Sequence, residues 1–355
     1  MPVAVGNISI FMGPHTLGAP DDLEKAIVSF ISQAEKRLDV AVQELESLPV
    51  AKALLDARAR GVRVRLVLEG DYLSVKRRRD EPFQPGGDNE ANRHIHAALL
   101  RGRVEVRSDY NPKIFHQKFI VRDINKGKTA LLTGSTNFTP TGTHQNLNHV
   151  VVVSGKSMAK VYGQEFEEIW NGTFGTARLR HDPKPRQPRI SGLRLKALFA
   201  PDHSPEMEIM KQMLKAKERV DFAIFTFSQS SGIDDTMIAM QRAGVVKIRG
   251  IIDKGQSRDW AATNPLKAAG VELYVAPTGG GLNKLHHKLM VIDGQLIIAG
   301  SFNYTGPANR LNDENIIILG DLHETRQSSV ARQKKLGKYA LDEIDRMIHR
   351  FGKAA

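Results

Sequence analysis

The chain has 355 residues, of which 41% are hydrophobic and 25% charged, so it can bury a packed core in one large or two medium domains. It contains no cysteine, which excludes disulfides, thiolate nucleophiles and Cys-ligated zinc and fits a reducing compartment. A formal net charge of +12 favours a polyanionic partner, either nucleic acid or an anionic lipid surface, over basic residues that serve only solubility.

The sequence is typical of a soluble, cytoplasmic protein. Residues 1–13 lack the basic start and long apolar stretch of a signal peptide. Nowhere does the chain approach the roughly 18 uninterrupted apolar residues of a membrane-spanning helix. We therefore expect no stable membrane insertion.

The elements predicted for the first half recur in the same order in the second half. Each half begins with a strand and a helix whose apolar residues are three or four positions apart. A strand, a helix, two β-branched strands and a closing helix follow. The matching segments are 9–15 and 197–203, 23–34 and 207–217, 38–42 and 220–224, 50–60 and 234–242, 62–68 and 246–252, 102–106 and 270–274, and 156–170 and 331–350.

Strands that alternate with helices predict an α/β fold with a largely parallel sheet covered on both faces. The internal duplication predicts two α/β/α halves, residues 1–176 and 195–355, related by a pseudo-two-fold axis. Residues 177–194 are rich in proline and charge, which is typical of a linker. We expect a monomer with an internal pseudo-dimer, and a higher oligomer is left open.

Two insertions break the symmetry of the repeat. Residues 72–92 are too long for an ordinary connection and contain a basic run made of Lys76, Arg77, Arg78 and Arg79. This run is either a solvated surface segment or a clamp on the backbone of a nucleic acid. Residues 277–281 are rich in glycine and permit close backbone approach or flexibility just before His286.

One motif occurs once in each half, as H-x-K-x4-D followed by a short turn and G-S-x-N with an aromatic residue. A single copy would be weak evidence, but two copies with the same continuation are not expected by chance. The residues are His116, Lys118, Asp123, Ser135 and Asn137 in the first half and His286, Lys288, Asp293, Ser301 and Asn303 in the second.

Strand periodicity separates the roles within each motif. Histidine and lysine two residues apart on a strand project from the same face and form an imidazole–ammonium pair. The aspartate follows its histidine by seven residues, so it lies on the opposite face or beyond the strand end. Asp123 and Asp293 are therefore predicted to tie the strand end to the following turn instead of orienting the histidines.

The duplicated pattern resembles the phospholipase D superfamily, and the resemblance covers nearly the whole chain. It implies that both motifs build one phosphodiester-cleaving site. In that site the two lysines would neutralise the non-bridging oxygens, so no metal or other cofactor is expected, and Asn137 and Asn303 would donate hydrogen bonds to those oxygens. Ser135 and Ser301 are expected to be turn or supporting groups.

The two halves differ at one position that bears on mechanism. When the strands after each G-S-x-N are aligned, Asn148 stands where Glu314 stands, and in the superfamily a glutamate here commonly supports the histidine. A carboxylate favours imidazolium more than a neutral amide does. We therefore expect Glu314 to keep His286 protonated as general acid, and Asn148 to leave His116 neutral as the nucleophile that forms a phosphohistidine.

The motifs do not specify the substrate. The net charge and the basic run favour a nuclease, with DNA favoured over RNA and a possible protein partner from a defence or repair system. The alternatives are a phospholipase D or phosphatidyltransferase acting on phospholipid, and a non-catalytic nucleic-acid-binding subunit, against which the intact His116 and His286 argue. Strandedness, and endonucleolytic or exonucleolytic cleavage, are left open.

Overall fold

The computed structural model describes residues 2–124, 127–178 and 184–355. Each half contains one β-sheet with helices packed on it. The strands of the first half are β1 (Val3–Val5), β2 (Ile8–Gly13), β3 (Arg37–Val42), β4 (Arg63–Leu68), β5 (Glu105–Ser108), β6 (Lys118–Arg122), β7 (Ala130–Gly134) and β8 (Asn146–Ser154). Its helices are α1 (Leu23–Ser32), α2 (Leu48–Ala59), α3 (Glu90–Arg101), α4 (Pro140–His144) and α5 (Lys156–Trp170).

The second half repeats this arrangement. Its strands are β9 (Arg189–Ile190), β10 (Leu193–Ala200), β11 (Arg219–Ile224), β12 (Lys247–Asp253), β13 (Glu272–Ala276), β14 (Lys284–Leu285), β15 (Lys288–Ile292), β16 (Leu296–Gly300), β17 (Glu314–Leu319) and β18 (Lys353–Ala354). Its helices are α6 (Pro205–Met213), α7 (Gly232–Arg242), α8 (Thr263–Ala268), α9 (Gly306–Arg310) and α10 (Gln327–Phe351). The predicted duplicated α/β architecture is thereby confirmed.

The expectation of largely parallel sheets was wrong in one respect, because both sheets are mixed. The first has the order β1-β2-β8-β7-β6-β3-β4-β5 and the second β18-β13-β12-β11-β15-β16-β17-β10-β9. In the first sheet β3, β4 and β5 run parallel, whereas β6, β7 and β8 pair antiparallel with their neighbours. One reason is the three-residue connection of β15 to β16, since only antiparallel strands can be joined by so tight a turn.

Every strand of the central region is covered on both faces. In β15, Leu289 and Val291 face a core shared by the two halves, whereas Met290 and Ile292 face a core confined to the second half. The shared core includes buried side chains of α5 and α10, which lie between the two sheets. Helices α1 to α3 and α6 to α8 pack on the outer faces. Burial of each large apolar side chain contributes about 1.5–3 kcal/mol, so the shared core holds the halves face to face.

The predicted linker is only partly an extended connection. Residues 179–183 lie outside the described residues. Residues 175–178 form a 3-10 turn, and Arg189–Ile190 pairs with the start of β10 as the edge of the second sheet. The last residues of the predicted linker therefore already belong to the second sheet.

Candidate active site

The two histidines of the repeated motif lie in one cleft between the halves. The ring centroids of His116 and His286 are 6.5 Å apart, and only 7% of each residue is exposed. The cleft has a volume of about 460 Å³ and is lined by polar side chains of both halves. A space of this size between two imidazoles can hold a phosphate group with its substituents.

Each histidine reaches the cleft on a segment that pairs with the opposite half. The backbone N–H of His116 donates to the carbonyl oxygen of Asp313 at 2.9 Å, and that of His286 donates to Leu147 at 2.9 Å. Strand β14 extends this exchange by pairing with β8 of the other sheet. The relative position of the two imidazoles is therefore fixed by backbone hydrogen bonds across the interface.

This exchange also crosses the side-chain partners, which corrects the sequence-based assignment. Nδ1 of His116 lies 2.7 Å from Oε2 of Glu314, and Nδ1 of His286 lies 3.0 Å from Oδ1 of Asn148. We expected Glu314 to pair with His286 and Asn148 with His116, and that pairing was wrong. The repeat alignment placed Glu314 and Asn148 on equivalent strands, but it could not show that each strand serves the histidine of the other half.

Ser135 and Ser301 hold the two acceptors in place. The hydroxyl of Ser301 donates to Oε2 of Glu314 at 2.6 Å, and that of Ser135 donates to Oδ1 of Asn148 at 2.7 Å. The glycine before each serine is required for this approach. A Cβ on Gly134 or on Gly300 would lie 2.3 Å from a backbone carbonyl oxygen of the neighbouring strand, so no other residue fits without a shift.

The two lysines of the motif are buried beside the histidines. Nζ of Lys118 donates to the carbonyl oxygen of His116 at 2.8 Å and to Oε1 of Gln43 at 3.0 Å. Nζ of Lys288 donates to the carbonyl oxygen of His286 at 2.9 Å and lies 4.9 Å from the centre of the Phe225 ring. Both ammonium groups are thus held beside the backbone of the two histidines, and their charges act on both imidazoles.

Burial and mutual repulsion control the protonation of these groups. Burial lowers the pKa of Lys118 to about 7, against the opposing effect of Glu314, Glu44 and Glu69. Burial and the Lys118 charge hold the pKa of Lys288 well below its usual value. Burial and the two lysines hold the pKa of His116 and His286 low, and burial raises the pKa of Glu314 to about 8. These shifts disfavour positive charge on the two lysines and the two histidines, and a bound anion would favour their protonated forms again.

Anion binding should consequently be coupled to proton uptake. Because the pKa of Lys118 is about 7 in the free protein and rises when an anion is bound, sulfate affinity should fall as the pH rises above 7. The fall should be up to about tenfold per pH unit. Calorimetric titration at pH 8 in buffers of different ionisation enthalpy should show net proton uptake, and Lys118→Met should reduce it. Equal sulfate affinity at pH 7 and pH 9 would contradict this prediction.

The two asparagines of the motif line the cleft but differ in their contacts. Nδ2 of Asn137 donates to Oε1 of Glu44 at 2.8 Å, whereas Asn303 accepts a hydrogen bond from the backbone N–H of Thr226 at 3.3 Å. The contact of Asn303 leaves its NH2 group unused, so it fits the predicted role as a donor to phosphate. The NH2 group of Asn137, in contrast, already donates a hydrogen bond to the Glu44 carboxylate.

Glu44 was missed from the sequence, although a signal for it existed. It lies two residues after strand β3, at the place where Thr226 follows β11 in the second half, and both residues line the cleft. Extending the repeat comparison past the strand ends would have shown a carboxylate in one half against a hydroxyl in the other. The cleft is therefore more acidic on the side of Glu44 than on the side of Thr226.

The two aspartates of the motif lie away from the cleft and bind backbone amides. Asp123 accepts hydrogen bonds of 2.7–2.9 Å from three consecutive N–H groups beginning at Glu35. Asp293 does the same, at 2.9 Å, for three beginning at Lys217. Each aspartate thus ties the end of its strand to the turn that enters β3 or β11.

The basic run does not line the catalytic cleft. Lys76, Arg77, Arg78 and Arg79 belong to an exposed stretch after a 3-10 turn, and Arg78 and Arg79 line a separate hollow with Phe83 and Arg93. Their contact with nucleic acid therefore stays a prediction.

Neither a metal-holding group nor a membrane-spanning helix is found in the described part of the chain. Within residues 2–124, 127–178 and 184–355, no group of three or more His, Asp or Glu side chains is placed to hold a metal ion. In the same part of the chain no helix has the length and hydropathy needed to span a membrane.

Comparison with known proteins identifies relatives of both halves. Residues 27–170 and 209–331 match the family model described as "Cardiolipin synthase, PLD-like domain". Mitochondrial cardiolipin hydrolase of Xenopus tropicalis is 29% identical over 157 residues, which are 44% of this chain and 63% of that protein. Phospholipase D of Rickettsia conorii is 29% identical over 147 residues, 41% of this chain and 64% of that protein.

The two curated relatives are matched over part of their length. This chain spans somewhat less than two thirds of the length of either curated relative. Phosphatidylserine synthase of Haemophilus influenzae has the same fold, with a TM-score of 0.66 and 13% identity over all of this chain and 89% of that one.

Proposed function

Because this chain belongs to the phospholipase D superfamily, we propose that it is a metal-independent phosphodiesterase that cleaves nucleic acid through a phosphohistidine intermediate. The observation that carries the chemistry is the position of His116 and His286 in one phosphate-sized cleft, with Lys118 and Lys288 buried close enough for their charges to act on both imidazoles.

In the first step His116 acts as the nucleophile. Nδ1–H of His116 donates to Oε2 of Glu314, so Nε2 carries the lone pair; the ionised form of Glu314, favoured above its pKa of about 8, is the one that compensates charge. Nε2 attacks phosphorus, the bond to the leaving oxygen breaks, and protonated His286 gives its proton to that oxygen. The imidazole of His116 gains positive charge as the N–P bond forms, and Glu314 compensates that charge.

The corrected pairing keeps the predicted roles but changes their physical reason. Asn148 supplies only a neutral acceptor to His286, and the lysines lower the pKa of that histidine. Imidazolium at this position is therefore a strong acid that gives up its proton readily. A negatively charged substrate offsets the lysines and allows His286 to be protonated before the reaction begins.

In the second step water replaces His116 on phosphorus. His286, now neutral, takes a proton from the water whose oxygen forms the new P–O bond, and the N–P bond breaks. Lys118 and Lys288 neutralise the non-bridging oxygens throughout, which is the charge compensation that metal ions supply in other phosphoryl-transfer enzymes.

Nucleic acid is the favoured substrate because of charge and cleft polarity. A net charge of +12 attracts a polyanion along its whole length, whereas a single lipid headgroup presents one phosphodiester. The cleft is lined mainly by amide, hydroxyl, carboxylate and ammonium groups, including Lys113 and Lys284, and this suits a sugar–phosphate backbone.

Purified protein should cut labelled nucleic acid in the presence of EDTA. Single- and double-stranded DNA and RNA offered in parallel would identify the preferred form, and we expect DNA. Complete loss of cutting on chelation, with recovery on added Mg²⁺, would contradict the lysine-based mechanism.

Phospholipid is the second candidate, because the curated relatives are named as phospholipase D and cardiolipin hydrolase. The same assay should therefore include vesicles of phosphatidylglycerol and cardiolipin. Release of phosphatidic acid without any cutting of nucleic acid would decide for the lipid substrate.

A further inference from the structure

A groove beside the catalytic cleft contains a partly exposed tryptophan. Trp260 is 47% exposed, although the other tryptophan of the chain, Trp170, is only 8% exposed. The groove has a volume of about 600 Å³, and three of its lining residues also line the catalytic cleft, namely Thr226, Thr305 and Pro307. A molecule that leaves the cleft on this side therefore passes directly over Trp260.

The backbone that carries Trp260 is held firmly. The carbonyl oxygen of Trp260 accepts a hydrogen bond of 3.1 Å from the N–H of Gln229. The side chain of Gln229 donates to the carbonyl oxygens of Asp259 and Ala261 at 2.9 and 3.0 Å. Exposure of the indole is thus a property of an anchored loop, and a preorganised aromatic face binds a flat ligand with less loss of entropy.

The charge around the Trp260 groove differs from the charge on the opposite side of the cleft. Lys254 and Arg258 are exposed on the loop that leads to Trp260 and outnumber Asp259, the acidic side chain that lines the groove, and Lys284 lies 5.6 Å from the centre of the Phe225 ring beside Thr226. On the other side of the cleft the position equivalent to Thr226 holds Glu44. A polyanion is therefore favoured on the Trp260 side and disfavoured on the Glu44 side.

We propose that Trp260 is the stacking platform for the base of the nucleotide next to the scissile phosphodiester, which makes this groove a nucleobase subsite. This assignment rests on the proposed nucleic-acid substrate. Flat aromatic bases stack on exposed tryptophan regardless of their sequence, so the subsite positions the strand without selecting a sequence. It also predicts that cleavage prefers single-stranded or unpaired segments, whose bases are free to leave the helix stack.

Substitution of Trp260 should weaken substrate binding much more than turnover. Trp260→Ala should raise KM for a single-stranded oligonucleotide by about 5- to 150-fold, the range that loss of one stacked base produces. Trp260→Phe keeps a flat ring and should raise KM far less. Leu214→Ala removes another exposed apolar side chain, distant in sequence from the groove, and serves as matched control. Circular dichroism checks that each variant folds.

Fluorescence gives a second readout that does not depend on cutting. An oligonucleotide added to the His116→Ala protein should quench tryptophan emission, whereas an abasic oligonucleotide with the same phosphates should not. Equal quenching by both, or an unchanged KM in Trp260→Ala, would overturn the base subsite while leaving nuclease activity intact.

Failure of the proposed function has a different signature. Wild-type protein would then hydrolyse the small diester bis(p-nitrophenyl) phosphate but leave oligonucleotides uncut. If phosphatidylglycerol vesicles quenched the emission of Trp260 and oligonucleotides did not, the groove would be a lipid-chain site and the base subsite would be excluded.

Discussion

Replacing His116 by alanine should abolish both turnover and the covalent adduct. In the proposed mechanism the Nε2 atom of His116 forms the bond to phosphorus, and Oε2 of Glu314, 2.7 Å from Nδ1, compensates the resulting charge. Loss of a nucleophile that acts as part of a concerted unit lowers kcat by on the order of 10⁴-fold or more. Quenching of wild-type protein with labelled substrate in alkaline SDS, followed by denaturing electrophoresis at alkaline pH, should detect an adduct that this variant lacks.

His286→Ala is the paired variant that tests the direction of the reaction. It removes the proton donor of the first step and the base of the second, so turnover should fall steeply. A substrate whose leaving group needs no proton, such as a p-nitrophenyl diester, should still form the adduct and accumulate it. If His286→Ala prevented the adduct and His116→Ala accumulated it, the two roles would be reversed.

Replacing Glu314 by glutamine should slow formation of the adduct. Glutamine keeps the size and an acceptor oxygen but removes the charge that stabilises the His116 imidazole as it becomes positive. Conversion of the carboxylate that supports a catalytic histidine to an amide costs on the order of 10⁴-fold in a well-studied protease, and we expect about 10²- to 10⁴-fold here. Rapid-quench measurement of adduct formation separates this step from release.

Glu218→Gln provides the matched control, because Glu218 is exposed and outside the cleft. Asn148→Ala should act differently from Glu314→Gln, since Asn148 accepts from His286. It should impair protonation of poor leaving groups while sparing p-nitrophenyl diesters. If Glu314→Gln affected only leaving-group protonation, its partner His116 would be the general acid instead of the nucleophile.

Much of the fold followed from local patterns in the chain. Helical periodicity marked α5 at Lys156–Trp170, and alternation marked the strands before and after each motif. Strand direction was beyond these patterns. Periodicity is the same for parallel and antiparallel strands, so the antiparallel pairing of β15 with β16 had to come from the three-residue connection between them.

The site divides in the same way. Strand alternation predicted that His116 with Lys118 and His286 with Lys288 share one face, and an odd spacing predicted that Asp123 lies away from the histidines. These are relations between residues close in the chain, and backbone geometry alone determines them. By itself the sequence therefore determined which groups are available for chemistry.

Only the tertiary structure decided which groups act together. Glu314 lies 198 positions from His116 and Asn148 lies 138 positions from His286, and both pairs exist because each histidine-bearing segment hydrogen-bonds to the sheet of the other half. The acidic Glu44 and the exposed Trp260 are likewise relevant to the site only because the two halves form the cleft and the groove beside it. Contacts across a packed interface depend on how two surfaces fit, and no spacing along one strand or helix contains that information.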